Sequence, residues 1–199
     1  TPTPPHSSAA SDVYKRQDRN GVDLIRRKLI GKVTEAWVFS GKGWGDKNPL
    51  PAREDPVPEG LDWDGWLGVG EERPYLNKYY HPKNWRKRQD FGTGTLGDMG
   101  CHIFNAMYRG LGMTVPQRIR SQTAVPNKYN WTSNEQVEFD FPGTPLTDGD
   151  LKVFWSSGGE RAPKALTSLV PEGVKYRFGC LLKGENGVLL LRHGSSPLL

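Results

Sequence analysis

Cysteine is scarce in this sequence. The 199 residues include two cysteines, Cys101 and Cys180, and neither belongs to a closely spaced pair. Zinc sites and redox-active motifs use such pairs, and disulfide-stapled domains use several of them. We therefore expect no metal site and no disulfide framework. The same scarcity favours a reducing, cytoplasmic compartment, with an export signal in a preceding segment as the alternative.

Long apolar runs and blocks of like charge are also missing. Apolar runs such as residues 188–191 are far too short to span a bilayer. The formal net charge is +5, but lysine and arginine are scattered among acidic residues, and no nucleic-acid-binding motif accompanies them. We therefore expect neither a membrane nor a nucleic acid as a partner.

What the sequence does contain is typical of one folded, loop-rich domain. Hydrophobic residues make up 35% of the chain, which also has 24 glycines and 16 prolines. Residues 1–17 are rich in proline, serine and threonine and show no apolar periodicity. We interpret them as a disordered or non-native leader that packs on nothing. Residues 18–199 then form the domain.

Hydrophobic periodicity predicts two helices. Val22, Ile25 and Leu29 share one face of a first helix, which Gly31 would end. A second helix is predicted over residues 95–111. Its apolar stripe consists of Leu96, Met99, Ile103, Met107 and Leu111.

Short runs bounded by turn residues predict strands at residues 31–39, 116–125, 135–141, 151–157 and 178–194. The last run is a hairpin, because Asn186-Gly187 favours a type I′ turn with positive φ at both central positions. The order of strand, long loop, helix and several strands predicts an α+β fold, a mostly antiparallel open sheet with helices on one face. The long irregular loop region, residues 41–92, is rich in aromatic residues and is expected to wrap the surface.

A polar stripe runs along the second helix beside the apolar one. It consists of Asp98, His102, Asn105 and Arg109, at positions i, i+4, i+7 and i+11. A carboxylate one turn before a histidine can fix the tautomer of the ring and raise its basicity, which suits the imidazole to proton transfer near neutral pH. The alternative is a solvated helix face or a structural Asp-His pair.

Glycines cluster around the start of the same helix, at Gly92, Gly94, Gly97 and Gly100. Glycine is less favourable than alanine in a helix by up to about 1 kcal/mol, so the cluster indicates close backbone approach to a ligand, a cofactor or another domain. It is not a dinucleotide-binding fingerprint, because the preceding residues are polar and do not form the buried strand that this motif requires.

The segment GTGTLGDMGCHIFN, preceded by KNWRKRQDF and EDPVPEGLDWDGWLG, resembles the C-terminal domain of the Gfo/Idh/MocA oxidoreductases. The resemblance extends from about residue 21 to the end of the chain. Members of this family pair an N-terminal Rossmann domain, which binds NAD or NADP, with a C-terminal α/β domain whose open sheet often forms an oligomer interface. The substrate-site aspartate and histidine of the family motif fall on Asp98 and His102. Asn105 stands where this branch often has an aspartate, and Gly-Thr-Gly replaces three consecutive glycines.

The resemblance implies the substrate-side domain of an NAD- or NADP-dependent oxidoreductase that acts on a sugar, a cyclitol or a related polyol hydroxyl. His102 would exchange the hydroxyl proton, and Asp98 would orient it. The sequence contains no Rossmann strand, no phosphate-binding glycine loop and no Glu-Lys-Pro motif. We therefore expect a fragment that binds neither NAD nor NADP and is inactive alone. The identity of the polyol and the choice between NAD and NADP stay open.

The aromatic residues of the long loop allow two interpretations. Tyr80, His81 and Arg86 are candidate substrate-binding residues, as is Asn105 on the helix, because aromatic faces stack on sugar rings while Arg and His reach hydroxyl or carboxylate groups. The large side chains expected instead to pin the loop to the domain are Trp63, Trp66, Trp85 and Phe91. The alternative function is a non-catalytic carbohydrate-binding or assembly module, in which the open sheet forms a homo-oligomer.

Overall fold

A computed structural model describes residues 8–159 and 162–199 of the chain. The strands in these residues are β1 (Val33–Ser40), β2 (Arg118–Ser121), β3 (Gln136–Phe141), β4 (Leu151–Ser157), β5 (Phe178–Gly184) and β6 (Val188–Arg192). The α-helices are α1 (Ser8–Arg26), α2 (Trp63–Leu67), α3 (Gly94–Leu111) and α4 (Lys164–Thr167), with a 3-10 helix at Asn84–Lys87. None of these helices has the length and apolar character needed to cross a membrane.

The six strands form one sheet in the order β2-β3-β4-β1-β5-β6. Neighbouring strands are antiparallel except β1 and β4, which run parallel with Val38 opposite Trp155. β1 therefore lies near the middle of the sheet, between two strands from the other end of the chain. This arrangement confirms the predicted mostly antiparallel open sheet of an α+β domain.

One face of the sheet is covered by α1 and α3 and holds the main core. Alternate strand residues point toward these helices, because successive side chains of a strand lie on opposite faces. The buried strand residues include Ala36, Val38, Val153 and Trp155. The α3 residues buried in the same core include Met99, Ile103, Met107 and Leu111. The predicted apolar stripe of this helix is therefore confirmed, with Leu96 partly buried at its edge.

The predicted first helix differs from the observed one at both ends. The periodicity predicts a helix over residues 22–29, whereas α1 spans Ser8–Arg26. Lys28 has a positive φ of 54°, so the chain turns sharply between α1 and β1. This turn buries Ile30 at 3% exposure and leaves Leu29 47% exposed. The prediction that Leu29 shares the buried face of the helix is wrong for this reason.

The predicted leader overlaps α1. Its residues 8–17 have helical backbone, and residues 1–7 lie outside the described residues. At Asp18, α1 is joined to α3, since Asn105 Nδ2 donates a hydrogen bond to Asp18 Oδ2 at 2.6 Å. The division between a leader and a domain at residue 17 stays a prediction.

The predicted hairpin is confirmed, but its predicted turn type is wrong. Glu185, Asn186 and Gly187 connect the antiparallel strands β5 and β6. A type I′ turn needs positive φ at both central positions, and Asn186 is not among the described residues with positive φ. The backbone amides of Glu185 and Asn186 instead donate to the carbonyls of Lys32 and Ile30, at 3.1 and 3.0 Å. The segment before β1 therefore sets the conformation of this turn.

The opposite face of the sheet is partly covered. Leu166 of α4 and Ala162 pack with Phe39, Leu181 and Leu190, which lie on β1, β5 and β6. The prediction of helices on one face therefore holds for the two long helices, and the short α4 is the exception. The remainder of this face carries the side chains of β3 and β4 that point away from α3.

The long loop region is organised around a buried aromatic cluster. The residues of this aromatic cluster are Leu76, Tyr79 and Tyr80, with Trp63, Trp66 and Phe91 packed against them. The rings of Trp63 and Trp66 stack with centroids 4.9 Å apart, and the Phe91 ring lies 5.1 Å from that of Trp66. These three residues pack within the loop region itself, and their pinning of the loop to the body of the domain stays a prediction. Trp85 instead lies against Arg86.

The close packing of α1 on α3 can be tested at Gly110, where an added Cβ would lie 2.6 Å from Ile25 Cδ1. We expect Gly110→Val to lower the free energy of unfolding by about 1–3 kcal/mol, because the larger side chain pushes the helices apart. Urea denaturation followed by circular dichroism measures this change. Arg109→Val places the same β-branched residue at the preceding position, which is exposed. This control should lower the free energy of unfolding by less than about 1 kcal/mol. Equal losses in the two variants would contradict the close packing.

Candidate functional site

Asp98 on α3 lies at the centre of a cluster of charged and aromatic side chains. Its Oδ1 accepts a hydrogen bond from Arg86 Nε at 3.0 Å. Its Oδ2 accepts from Trp44 Nε1 at 2.7 Å and from Lys42 Nζ at 3.4 Å. Burial alone would raise the pKa of this carboxyl, but the hydrogen bond from Arg86 and the charge of Lys42 outweigh burial and lower the pKa. Asp98 is therefore ionised at neutral pH, and the Asp98 cluster holds two cations for one anion.

The surrounding elements fix where the partners of Asp98 lie. Lys42 and Trp44 follow the carboxyl end of β1, and Trp44 N donates to Thr95 Oγ1 at 2.7 Å. Arg86 belongs to the 3-10 helix. Its guanidinium carbon is 4.4 Å from the ring centroid of Trp85 and 5.5 Å from that of Trp44. Because guanidinium groups are attracted to the faces of indole rings, these two tryptophans hold the Arg86 side chain in place.

A buried carboxylate, Glu135, anchors the N-terminal end of α3. Its Oε1 accepts from Thr95 N at 3.0 Å, and its Oε2 accepts from Trp155 Nε1 at 3.0 Å. The backbone N–H of Leu96 also donates to this carboxylate. Burial is the largest influence on Glu135 and raises its pKa, although the hydrogen bonds act in the opposite direction. The anchor fixes α3 to the sheet at the end of the helix that carries Asp98.

Two glycines at the start of α3 are required by close contacts within the chain. A Cβ on Gly92 would lie 2.6 Å from Arg86 Cα. Gly94 has a φ of 64°, and its Cβ would lie 2.9 Å from Glu135 Oε1. The glycine cluster does mark close backbone approach. At these two positions the neighbours are the protein's own residues rather than a ligand, a cofactor or another domain.

His102 is exposed one helical turn after Asp98. Its ring centroid is 5.5 Å from that of His193, which follows β6 and whose pKa is lowered by burial. A small cavity of about 20 Å³ is lined by Asp18, His102 and His193, and Asn105 binds Asp18 beside it. The described contacts of Asp98 and of His102 thus involve different residues. Their joint catalytic role stays a prediction.

The three loop candidates lie in different surroundings. Arg86 contacts Asp98, as described above. Tyr80 is 2% exposed inside the aromatic cluster, where burial raises its pKa against a hydrogen bond with Arg73. His81 is exposed on the loop surface. Of these candidates the structure brings Arg86 to Asp98, and the substrate-binding roles of the others stay predictions.

Three residues of the site were missed by sequence reasoning, namely Lys42, Trp44 and Glu135. Lys42 and Trp44 lie in the segment SGKGWG directly after the first predicted strand. The carboxyl ends of strands are a common place for binding groups in open sheets, so this position was a usable signal. Glu135 carries no such signal, because glutamate is ordinarily exposed and its burial here depends on the packing of α3 against β4.

The described residues lack the strand, glycine loop and helix by which dinucleotide-binding folds hold a nicotinamide dinucleotide. Dinucleotide-binding folds place a glycine loop between a buried strand and a helix whose N-terminal N–H groups bind the pyrophosphate. In the described part of the chain, the parallel neighbours β1 and β4 are connected through α3, β2 and β3 rather than through one helix. The N–H groups of Thr95 and Leu96 already bind Glu135. The described part of the chain also contains no group of three or more acidic, histidine or cysteine side chains that could hold a metal ion.

The anchoring of α3 leads to a prediction about stability. In Glu135→Ala, two backbone N–H groups and the Trp155 indole N–H lose a buried acceptor, so the free energy of unfolding should fall by about 2–4 kcal/mol. Urea denaturation followed by tryptophan fluorescence measures the loss. Glu59→Ala removes an exposed carboxylate and should stay within about 0.5 kcal/mol of the wild type. An equally small change in Glu135→Ala would show that the anchor is dispensable.

The raised pKa of Glu135 adds a pH dependence of known sign. A carboxyl whose pKa is higher in the folded than in the unfolded chain contributes stability that is fully present below the unfolded pKa, about 4.3 for glutamate, and is lost as pH rises through the folded pKa. Glu135→Gln removes the titrating group. The stability of the wild type relative to this variant should therefore decrease as the pH rises above about 4.3, and an increase would contradict the assignment.

A family model for an oxidoreductase C-terminal alpha/beta domain matches residues 25–141 of the chain. The match runs from the end of α1 through β1, the loop region and α3 to the end of β3, and so includes Asp98 and Glu135. The search of curated proteins found no match to the chain. The family match covers more than half of the 199 residues. The chain therefore belongs to the Gfo/Idh/MocA oxidoreductase family, as its motifs predict, and is a C-terminal alpha/beta domain of that family.

Proposed function

We propose that the chain is the substrate-binding domain of an NAD(P)-dependent oxidoreductase that acts on a hydroxyl of a sugar, a cyclitol or a related polyol. Family membership carries this proposal, because the matched family is one of oxidoreductases. The Asp98 cluster supports the location of the site, since it joins an ionised carboxylate, two cations and an indole N–H. Such a mixture of donors and acceptors suits a polyol, whose hydroxyl groups both donate and accept hydrogen bonds.

His102 is the residue that we propose for proton exchange with the substrate hydroxyl. It is exposed on α3, and an imidazole can accept or release a proton near neutral pH. Asp98, one turn before it, would orient the hydroxyl group. The polyol would then lie beside Asp98 and His102, at the N-terminal end of the polar stripe of α3 and away from Arg109.

NAD or NADP is held, in this proposal, by a separate nucleotide-binding domain, and the chain alone is inactive. The occupied N-terminus of α3 and the topology of the sheet support this division of labour. Calorimetric titration of the chain with NADH and NADPH should give no measurable heat of binding. Micromolar binding of either nucleotide would contradict the proposal that another domain holds the cofactor.

The role of His102 predicts a loss of turnover in a protein that joins this domain to a nucleotide-binding domain. His102→Ala should lower kcat by at least about tenfold, because a positioned acid-base group typically contributes far more than a surface side chain. Cofactor affinity should stay nearly unchanged. Asp98→Asn should show a smaller effect of the same kind.

The matched control for this measurement is Arg109→Ala, which changes another exposed residue of the same polar stripe. Its kcat should stay within about twofold of the wild type, as expected for a side chain without an acid-base role. Steady-state kinetics with a panel of polyols measures all three variants. An unchanged kcat in folded His102→Ala protein would remove His102 from the mechanism.

The open part of the sheet favours a second function, assembly into a homo-oligomer. Trp37 and Phe154 are half-buried there and stack with ring centroids 4.2 Å apart. On the same part of the sheet Arg120 of β2 and Lys152 of β4 both bind Glu138 of β3. We propose that a second copy of the chain covers this face. Two identical faces related by a two-fold axis bring both signs of charge together around the aromatic pair.

This assembly should depend on the aromatic pair. We expect the wild-type chain to form a dimer in sedimentation experiments and Phe154→Lys to be a monomer, because the new charge would be buried without a partner. Tyr129→Lys places the same charge at an exposed aromatic residue of the loop region and should leave the dimer intact. A wild-type chain that is monomeric at high concentration would contradict the assembly.

A further inference from the structure

Arg86 is held rigidly while part of its guanidinium group stays available. Nε binds Asp98 Oδ1 at 3.0 Å, and two tryptophan rings flank the group. The backbone is fixed as well, because Gly92 packs so closely that its Cβ would lie 2.6 Å from Arg86 Cα. Among the residues that the structure describes, no acceptor binds the terminal nitrogens Nη1 and Nη2. The side chain is 29% exposed, so these donors can reach a ligand.

Arg88 on the same loop shows what a structural arginine looks like in this protein. It is 4% exposed. Its guanidinium donates to Tyr79 O at 3.0 and 3.1 Å, to Asp46 Oδ2 at 3.1 Å and to Asn130 Oδ1 at 2.5 Å. Every nitrogen of Arg88 therefore has an acceptor within the chain, whereas Arg86 uses Nε alone. The difference indicates that Arg86 does more than join two segments.

Lys42 adds a second cation beside Arg86. Its Nζ is 3.4 Å from Asp98 Oδ2, and its side chain is 36% exposed. The ammonium group has three donors, and the single hydrogen bond from Nζ recorded within the described chain goes to Asp98. Since Asp98 is ionised, Arg86, Lys42 and Asp98 together carry one net positive charge. An incoming anion would neutralise this charge without displacing Asp98.

We propose that Arg86 and Lys42 form a subsite for an oxyanion of the substrate, either a carboxylate or a phosphate group. The end of a guanidinium group binds such oxyanions through two parallel hydrogen bonds, and a lysine adds a point charge. The inference rests on the proposed function and narrows its substrate class from polyols in general to anionic polyols, such as sugar acids and sugar phosphates. The hydroxyl groups next to the anion would then face Asp98.

Calorimetry on the full 199-residue chain tests this subsite directly. The ligands are glucuronate, glucose 6-phosphate and, as the uncharged match, glucose, each titrated at low ionic strength. We expect at least one of the anions to bind about tenfold or more tightly than glucose, since hydrogen bonds between charged groups are roughly twice as strong as neutral ones. Tighter binding of glucuronate would identify a carboxylate as the recognised group, and tighter binding of glucose 6-phosphate would identify a phosphate.

Variants separate the subsite from general charge attraction. Arg86→Met and Lys42→Met should each remove most of the preference for the anion over glucose. Arg27→Met is the matched control, because Arg27 also pairs with an aspartate, Asp23, at 2.9 Å but lies just after α1; its preference should equal that of the wild type. Circular dichroism reports whether each variant is folded, and Lys42→Met decides the question where Arg86→Met does not fold.

Three results would overturn the subsite: glucose and both anions binding equally, an anion preference that survives in folded Lys42→Met and Arg86→Met, or no binding of either anion. The outcome is independent of turnover. The protein that joins this domain to a nucleotide-binding domain separates the two proposals. If it prefers the anion but oxidises no polyol, the subsite is supported and the oxidoreductase proposal is contradicted. If it oxidises neutral polyols but shows no preference for an anion, the oxidoreductase proposal is supported and the subsite is contradicted.

Discussion

The bond between the Glu135 carboxylate and the first turn of α3 determines where the candidate site lies. The carboxylate receives two backbone N–H groups from the helix and the indole N–H of Trp155 from the sheet. Burying an ionisable group is unfavourable unless its hydrogen bonds are satisfied. In the same turn of the helix, Thr95 Oγ1 accepts a hydrogen bond from Trp44 N, and the Trp44 indole N–H donates to Asp98. The position of Asp98 is thus linked to the sheet through a continuous series of hydrogen bonds that includes Trp44 of the loop region.

The loop region supplies two arginines with opposite roles, two residues apart. Arg88 joins Asp46, Asn130 and the Tyr79 carbonyl, so one buried guanidinium ties three separate segments together. Such a buried cation is tolerated because its donors are satisfied. Arg86 lies on a loop that Arg88 has already fixed, and its own side chain binds Asp98 of the site. The division shows how a long segment with little regular structure can still present a side chain in a defined orientation.

Most of the sheet and α3 could be predicted because their signals are local. The alternation in β1 and β4 and the apolar stripe of α3 are each contained within one element. The end of α1 could not be predicted, since the turn at Lys28, with its positive φ, buries Ile30 in a core formed by distant segments. In the site, Asp98 was found through a motif, whereas Glu135 is buried by packing that no single segment encodes. The sequence thus predicts elements well and long-range partners poorly.

The central place of β1 in the sheet has a consequence for the order in which the protein folds. β1 comes early in the chain, but its two neighbours, β4 and β5, are among the last strands to be synthesised. Contacts between such distant segments require closure of long loops and make folding slow. Until β4 emerges from the ribosome, both edges of β1 and apolar residues such as Val38 have no strand to pair with. The nascent chain therefore passes through a long interval in which its central strand is open to association with other chains.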